Sequence, residues 1–147
     1  MPENKPNLIL MAEDDDDFHR LTAFELRNHP DVELRRVEDG EELMDYLLHR
    51  GKYQNPQDAP SPDLIFLDLN MPRKNGHEAL KEIRANAQLP FIPILILTVS
   101  SDRKDIQRAY SAGANSFITK PDDFREWSEF LKGVKHYWFE IVQLPTP

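Results

Sequence analysis

The chain has 147 residues, a formal net charge of -8 and no cysteine. That length fits one domain able to bury a core without covalent staples, and the missing thiols exclude disulfides, a thiolate zinc site and a thiol nucleophile. The acidic balance argues against a nucleic-acid-binding surface, and no apolar run approaches a signal sequence or a membrane span, so a soluble cytoplasmic protein with no DNA or membrane partner is expected.

The first apolar run, LILMA at residues 8–12, predicts a strand. A helical stripe of Phe18, Leu21, Thr22 and Leu26 follows. VELRRV at 32–37 alternates and suits an edge strand, and Leu43, Tyr46 and Leu47 mark the next helix. Residues 51–62 (GKYQNPQDAPSP) carry three of the twelve prolines and read as a surface loop. LIFL at 64–67 and ILIL at 94–97 are apolar on both faces, as central parallel strands covered by helices are. Ala79, Leu80 and Ile83 form the helix between them. Ile106, Ala109 and Tyr110 form the fourth helix, with Gly113 as its C-terminal cap. SFI at 116–118 is a fifth strand, and Phe124, Trp127, Phe130, Leu131 and Val134 give a fifth helix. Five strands alternating with five helices predict an α/β fold: a doubly wound five-stranded parallel sheet in a (βα)5, flavodoxin-like three-layer sandwich.

In such a sheet the ligand site lies beyond the carboxyl ends of the strands. Glu13, Asp14, Asp15, Asp16 and Asp17 follow the first run, and Asp68, Leu69 and Asn70 follow the third. Thr98, Val99 and Ser100 follow the fourth, and Thr119, Lys120 and Pro121 the fifth. Clustered carboxylates need a cation, and an oxygen-only set without cysteine points to a hard divalent metal such as magnesium. A carboxylate can also act as nucleophile and form an acyl phosphate. The metal and a lysine would offset charge on a transferring phosphoryl group, and a threonine hydroxyl can donate to a phosphate oxygen.

The pieces LILMAED, IFLDLNMP, ILTVSS and FITKP, in that order and each at a strand end, resemble the receiver domains of response regulators. The resemblance spans nearly the whole chain. It implies that Asp68 accepts a phosphoryl group from a histidine kinase. It implies further that Asp14 and Asp68 ligate magnesium (with manganese able to substitute), that Glu13 holds one of the metal's waters, and that Asn70 offers its backbone carbonyl. Thr98 and Lys120 would bind the phosphoryl group, Phe117 would be the aromatic switch, and Pro121 would follow a cis peptide bond. Val99 stands where a small residue is usual and narrows the approach to Asp68. Asn75-Gly76 replaces the commoner Asp-Gly turn. The long proline-bearing loop, EDGEELMDYLLHRGKY and the tail FEIVQLP are further similar to small single-domain regulators paired with bacterial phytochrome kinases, best known in cyanobacteria.

Blander readings stand beside these. Asp15, Asp16 and Asp17 read as a solvated acidic run at a helix N-terminus. Phe117 alone would be a core aromatic, and the five histidines form no ligand pair and carry no role. Residues 1–137 read as the receiver domain and 138–147 as an apolar extension. Trp138, Phe139, Ile141, Val142 and Leu144 either pack back on the domain or, as exposed apolar patches more often do, make the contact of a homodimer, and a homodimer is expected. The expected function is a phosphoacceptor signalling protein, not an enzyme. The alternatives are a phosphorylation-independent binding module and a magnesium-dependent phosphohydrolase. The last usually needs an acid two residues after the nucleophile, where this chain has Asn70.

Overall fold

The structure is a computed structural model and describes residues 5–145. Five strands, β1 (Asn7–Ala12), β2 (Val32–Val37), β3 (Leu64–Leu67), β4 (Ile94–Thr98) and β5 (Ser116–Thr119), form one parallel sheet. The spatial order is β2-β1-β3-β4-β5. The helices are α1 (Asp16–Leu26), α2 (Gly40–Leu48), α3 (Gly76–Ala85), α4 (Arg103–Ser111) and α5 (Phe124–Lys135). The expected architecture is therefore the one observed, with the alternating strand β2 at one edge and the three continuously apolar strands inside.

Side-chain alternation along the central strands divides the core in two. Leu10, Ala12, Ile65, Leu67, Ile94 and Ile96 face α2, α3 and α4, where Leu43, Met44, Leu80 and Ile83 meet them. Ile9, Met11, Leu64, Phe66, Leu95 and Leu97 face the opposite layer, formed by α1 and α5. Each fully buried apolar side chain of this size contributes about 1.5–3 kcal/mol. In the second layer Trp127 lies 5.0 Å from Phe18 and 6.3 Å from Phe66 between ring centroids. Its indole N–H donates to Thr22 Oγ1 at 2.9 Å, which satisfies the one polar atom that the ring takes into the core.

The helices begin on side-chain caps. Asp15, Asp39, Asn75, Asp102 and Asp123 each accept backbone N–H groups of the first turn. Asn75 adds a capping box with Glu78, so the Asn-Gly pair opens α3 as well as closing the turn before it. Gly113, at φ 107°, ends α4.

The proline-bearing loop is shaped by two short 3-10 turns, Gly51–Tyr53 and Pro56–Asp58. Its end is tied down: Tyr46 donates to the Pro60 carbonyl, and Ala59 is buried in the core. Beyond α5 the chain does not unravel. It continues as a π-helical turn, His136–Ile141, so the expected boundary between 137 and 138 falls inside a helical segment. Trp138 and Phe139 pack against the α1–α5 layer, while Tyr137 and Ile141 are exposed. Residues 146 and 147 of the expected extension lie outside the described residues. Among the described residues no helix is long and apolar enough to cross a membrane.

Candidate functional site

The carboxyl ends of β1, β3, β4 and β5 converge at one rim of the sheet, because parallel strands all point the same way. Glu13 and Asp14 leave β1, Asp68 leaves β3, Thr98 ends β4 and Lys120 follows β5. Carboxylate oxygens of Glu13, Asp14 and Asp68 lie within 4.8 Å of one another. Glu13 and Asp68 are buried, at 1% and 6% exposure, whereas Asp14 faces solvent.

Lys120 holds this acidic pair together. Its ammonium stands 2.6 Å from Glu13 Oε1 and 3.1 Å from Asp68 Oδ2. It also lies 4.4 Å from the centroid of the Phe18 ring, a cation–π contact that roofs the charge with an apolar surface. Burial pushes the Glu13 carboxyl up to about 7, and the neighbouring Asp68 charge adds to that, against the pull of Lys120. For Lys120, burial works to depress the ammonium, but the hydrogen bond to Glu13 and the charges of Asp68 and Glu13 prevail and raise it. The site thus carries more negative charge than one lysine compensates.

The remaining expected residues surround Asp68. The Asn70 backbone N–H donates to Asp68 Oδ1 at 3.2 Å, and its side-chain amide donates to Thr98 Oγ1 at 3.4 Å. Thr98 is fully buried. Phe117 is half-buried over the α2–α4 layer, and its N–H donates to the Tyr110 hydroxyl. Val99 is 72% exposed at the rim. One expectation needs correction. The bond before Pro121 is trans, as is every peptide bond among the described residues. The trans form of an X–Pro bond is favoured by about 0.5–1 kcal/mol. The Lys120 N–H donates to the Thr98 carbonyl at 2.7 Å while its side chain reaches both acids.

Several contributors were not singled out from the sequence. Arg36, at the end of β2, donates through Nε to the Glu13 carbonyl at 2.9 Å and pairs with Asp16 at 2.8 Å, which braces the acidic loop. His77 on α3 meets Asp105 of α4 at 3.4 Å, and Asp105 accepts from the Ser100 hydroxyl at 2.7 Å. Arg73 grips Asp39. Apart from the Ser100–Asp105 bond, these join distant segments and have no local spacing to betray them.

A buried aspartate bonded by a lysine, a buried threonine and two further acids thus meet at four strand ends of a β2-β1-β3-β4-β5 sheet. The sequence model of the response regulator receiver domain matches residues 9–132. The chain belongs to the response regulator receiver family. Among similar proteins, the response regulator Rcp1 of Synechocystis is 36% identical over 97% of this chain and 96% of its own length. The probable methanogenesis regulatory protein FilR2 of Methanothrix harundinacea is 33% identical over 97% of this chain and 90% of its own. Among solved structures, the phosphorylated cyanobacterial phytochrome response regulator RcpA superposes with a TM-score of 0.89 at 36% identity, covering 96% of this chain and 99% of that one. The manganese-bound form of Rcp1 gives 0.86 at 35% identity, covering 96% and 100%. This receiver domain, like others, is a signalling module, and the clustered carboxylates of Glu13, Asp14 and Asp68 are the kind of oxygen donors that a hard divalent cation takes.

Proposed function

We propose that this receiver domain accepts a phosphoryl group from a histidine kinase on Asp68 and transmits the signal by a change of conformation. The observation that carries the reading is the Lys120 ammonium shared between Glu13 and Asp68 beside a buried Thr98 hydroxyl. In the transfer, an Asp68 carboxylate oxygen attacks the phosphorus of a phosphohistidine. A P–O bond forms, the P–N bond breaks, and its electron pair returns to the departing imidazole. Lys120 offsets the negative charge gathered on the phosphoryl oxygens, and Thr98 offers its hydroxyl to one of them. Because Thr98 is tied to Asn70 and Phe117 lies on the neighbouring strand, drawing Thr98 toward the phosphoryl group biases a two-state surface at β4 and β5.

Asp14, Asp68 and the Asn70 carbonyl would hold magnesium, with manganese able to substitute and Glu13 acting through a bound water. When bound, the ion supplies the positive charge that the acids lack and that phosphoryl transfer demands. The manganese-bound form of Rcp1 supports this assignment. The likeness to RcpA, to Rcp1 and to the red-light response regulator RPA3017 of R. palustris supports a phytochrome-type kinase as partner, in the cytoplasm. Exposed Phe130, Tyr137 and Ile141 on α5 and the π-helical turn support a homodimer joined through that face.

The test is phosphotransfer. With magnesium and a phosphorylated phytochrome kinase, the wild-type protein takes up acid-stable, base-labile label, and Asp68→Asn takes up none. Label surviving in Asp68→Asn would put the acceptor elsewhere. No label from several kinases or from a small phosphodonor would leave a binding module.

A further inference from the structure

The two loops that carry the acids differ in length. Three residues, 13–15, separate β1 from α1, whereas eight, 68–75, separate β3 from α3. The longer loop brings both Asp68 and Asn70 and needs support from outside to keep a fixed shape. That support comes from the start of α2. Asp39 Oδ2 accepts from Arg73 Nε at 2.8 Å and from a second guanidinium nitrogen at 2.6 Å. Its other oxygen accepts from the Glu42 N–H at 2.8 Å and caps α2. One buried carboxylate therefore starts a helix and anchors the loop.

The next residue completes the seat. The Gly40 N–H donates to the Lys74 carbonyl at 2.9 Å, and a Cβ on Gly40 would come within 2.2 Å of that oxygen. At the far end of the loop, a Cβ on Gly76 would come equally close to the Asp68 carbonyl. Arg73 itself sits at φ 63°, a left-handed conformation that a non-glycine residue keeps only where its surroundings over-determine it.

We propose that Asp39 and Arg73 are positioning residues for the metal site. Their clamp seats the β3–α3 loop on the N-terminus of α2 and so keeps the Asn70 carbonyl in register with the carboxylates. The proposal rests on the metal reading given above. Groups bonded directly to a metal ligand typically change its affinity 10–100-fold when lost, and a clamp that acts through the loop falls at the low end of that range.

Calorimetric magnesium titration of the whole protein, paired with thermal unfolding in EDTA, tests this. Arg73→Gln, Asp39→Ser (which retains a capping oxygen), the double variant and Arg73→Lys are compared with wild type. Each single loss weakens magnesium about 10-fold. The double variant is no weaker than the worse single, because both break one clamp. Arg73→Lys falls between, keeping the charge but not the fork. Charge alone predicts a split pattern, in which losing the arginine tightens binding while losing the aspartate loosens it, so the sign of the Arg73→Gln effect decides. That pattern overturns the proposal. So does an unchanged affinity with a lowered melting temperature in EDTA, which marks a clamp that serves folding only. Should Asp39→Ser fail to fold, the Arg73 variants decide alone. A wild type that binds no magnesium overturns the metal reading, and the clamp's role with it, and is distinguished by its flat titration.

Discussion

At the scale of single residues, the site is a balance of charges out of water. Lys120 is shared by two carboxylates, so its removal leaves both facing each other in a buried place. Lys120→Met is expected to destabilise the metal-free protein by roughly 3 kcal/mol, the lower end of the cost of an orphaned buried charge, because Glu13 can take up a proton instead. Urea unfolding with and without magnesium checks this: magnesium should recover more stability in the variant than in wild type. Glu13 also sets a pH dependence. Its folded value of about 7 lies above the ordinary 4.5. Between those values the folded chain holds more protons than the unfolded one, so its contribution to stability falls as pH rises through that window and is lost above about 7. Melting temperatures of the metal-free protein, taken from about pH 5 to about pH 8, should show a decline that Glu13→Gln removes. An equal decline in Glu13→Gln would show that other groups carry it.

At the scale of elements, the helices meet the sheet through a few demanding contacts. Thr22 on α1 accepts from the Trp127 indole on α5 and donates to the Phe18 carbonyl at 2.8 Å. Thr22→Val keeps the shape but strands a buried N–H, at a cost of about 1–3 kcal/mol, measurable as a lower urea midpoint with unchanged slope. The strands were legible in the sequence because burial on both faces leaves no room for polar residues in β1, β3 and β4. The alternation of VELRRV marked an edge for the same physical reason. The acids and Lys120 were legible because each directly follows a strand, and a parallel sheet gathers such positions at one rim. Other features had no such rule behind them. Tyr110, Phe130 and Leu21 sit on apolar stripes yet remain exposed, because the stripes are wider than the faces the sheet covers. The clamp of Arg73 on Asp39 spans 34 positions and depends on how two crossover units lie beside each other. The π-helical turn was unexpected, since an apolar tail read alone does not disclose that Trp138 and Phe139 still have a core to enter.

At the scale of the whole molecule, the sheet separates two layers with different tasks. The α2–α4 layer holds Leu43, Leu80 and Ile96 beside the loops that shape the metal-binding side. The α1–α5 layer ends in the π-helical turn and bears exposed Phe130, Tyr137 and Ile141. If that face joins two copies, Ile141→Asp should shift sedimentation toward a monomer while changing the melting temperature of the monomer little, since more than half of that side chain is already in water. A lone species of monomer mass in the wild type at all concentrations would rule the dimer out.

The stack of Lys120 on Phe18, and of Phe18 on Trp127, has an optical consequence. A tryptophan 2% exposed and one ring away from the site's ammonium is a built-in fluorescent probe. With Trp138→Phe removing the second indole, the emission of Trp127 should change in intensity as magnesium or a phosphoryl group draws Lys120 from Glu13. The signalling state of the rim could then be followed by light, in real time and without a label.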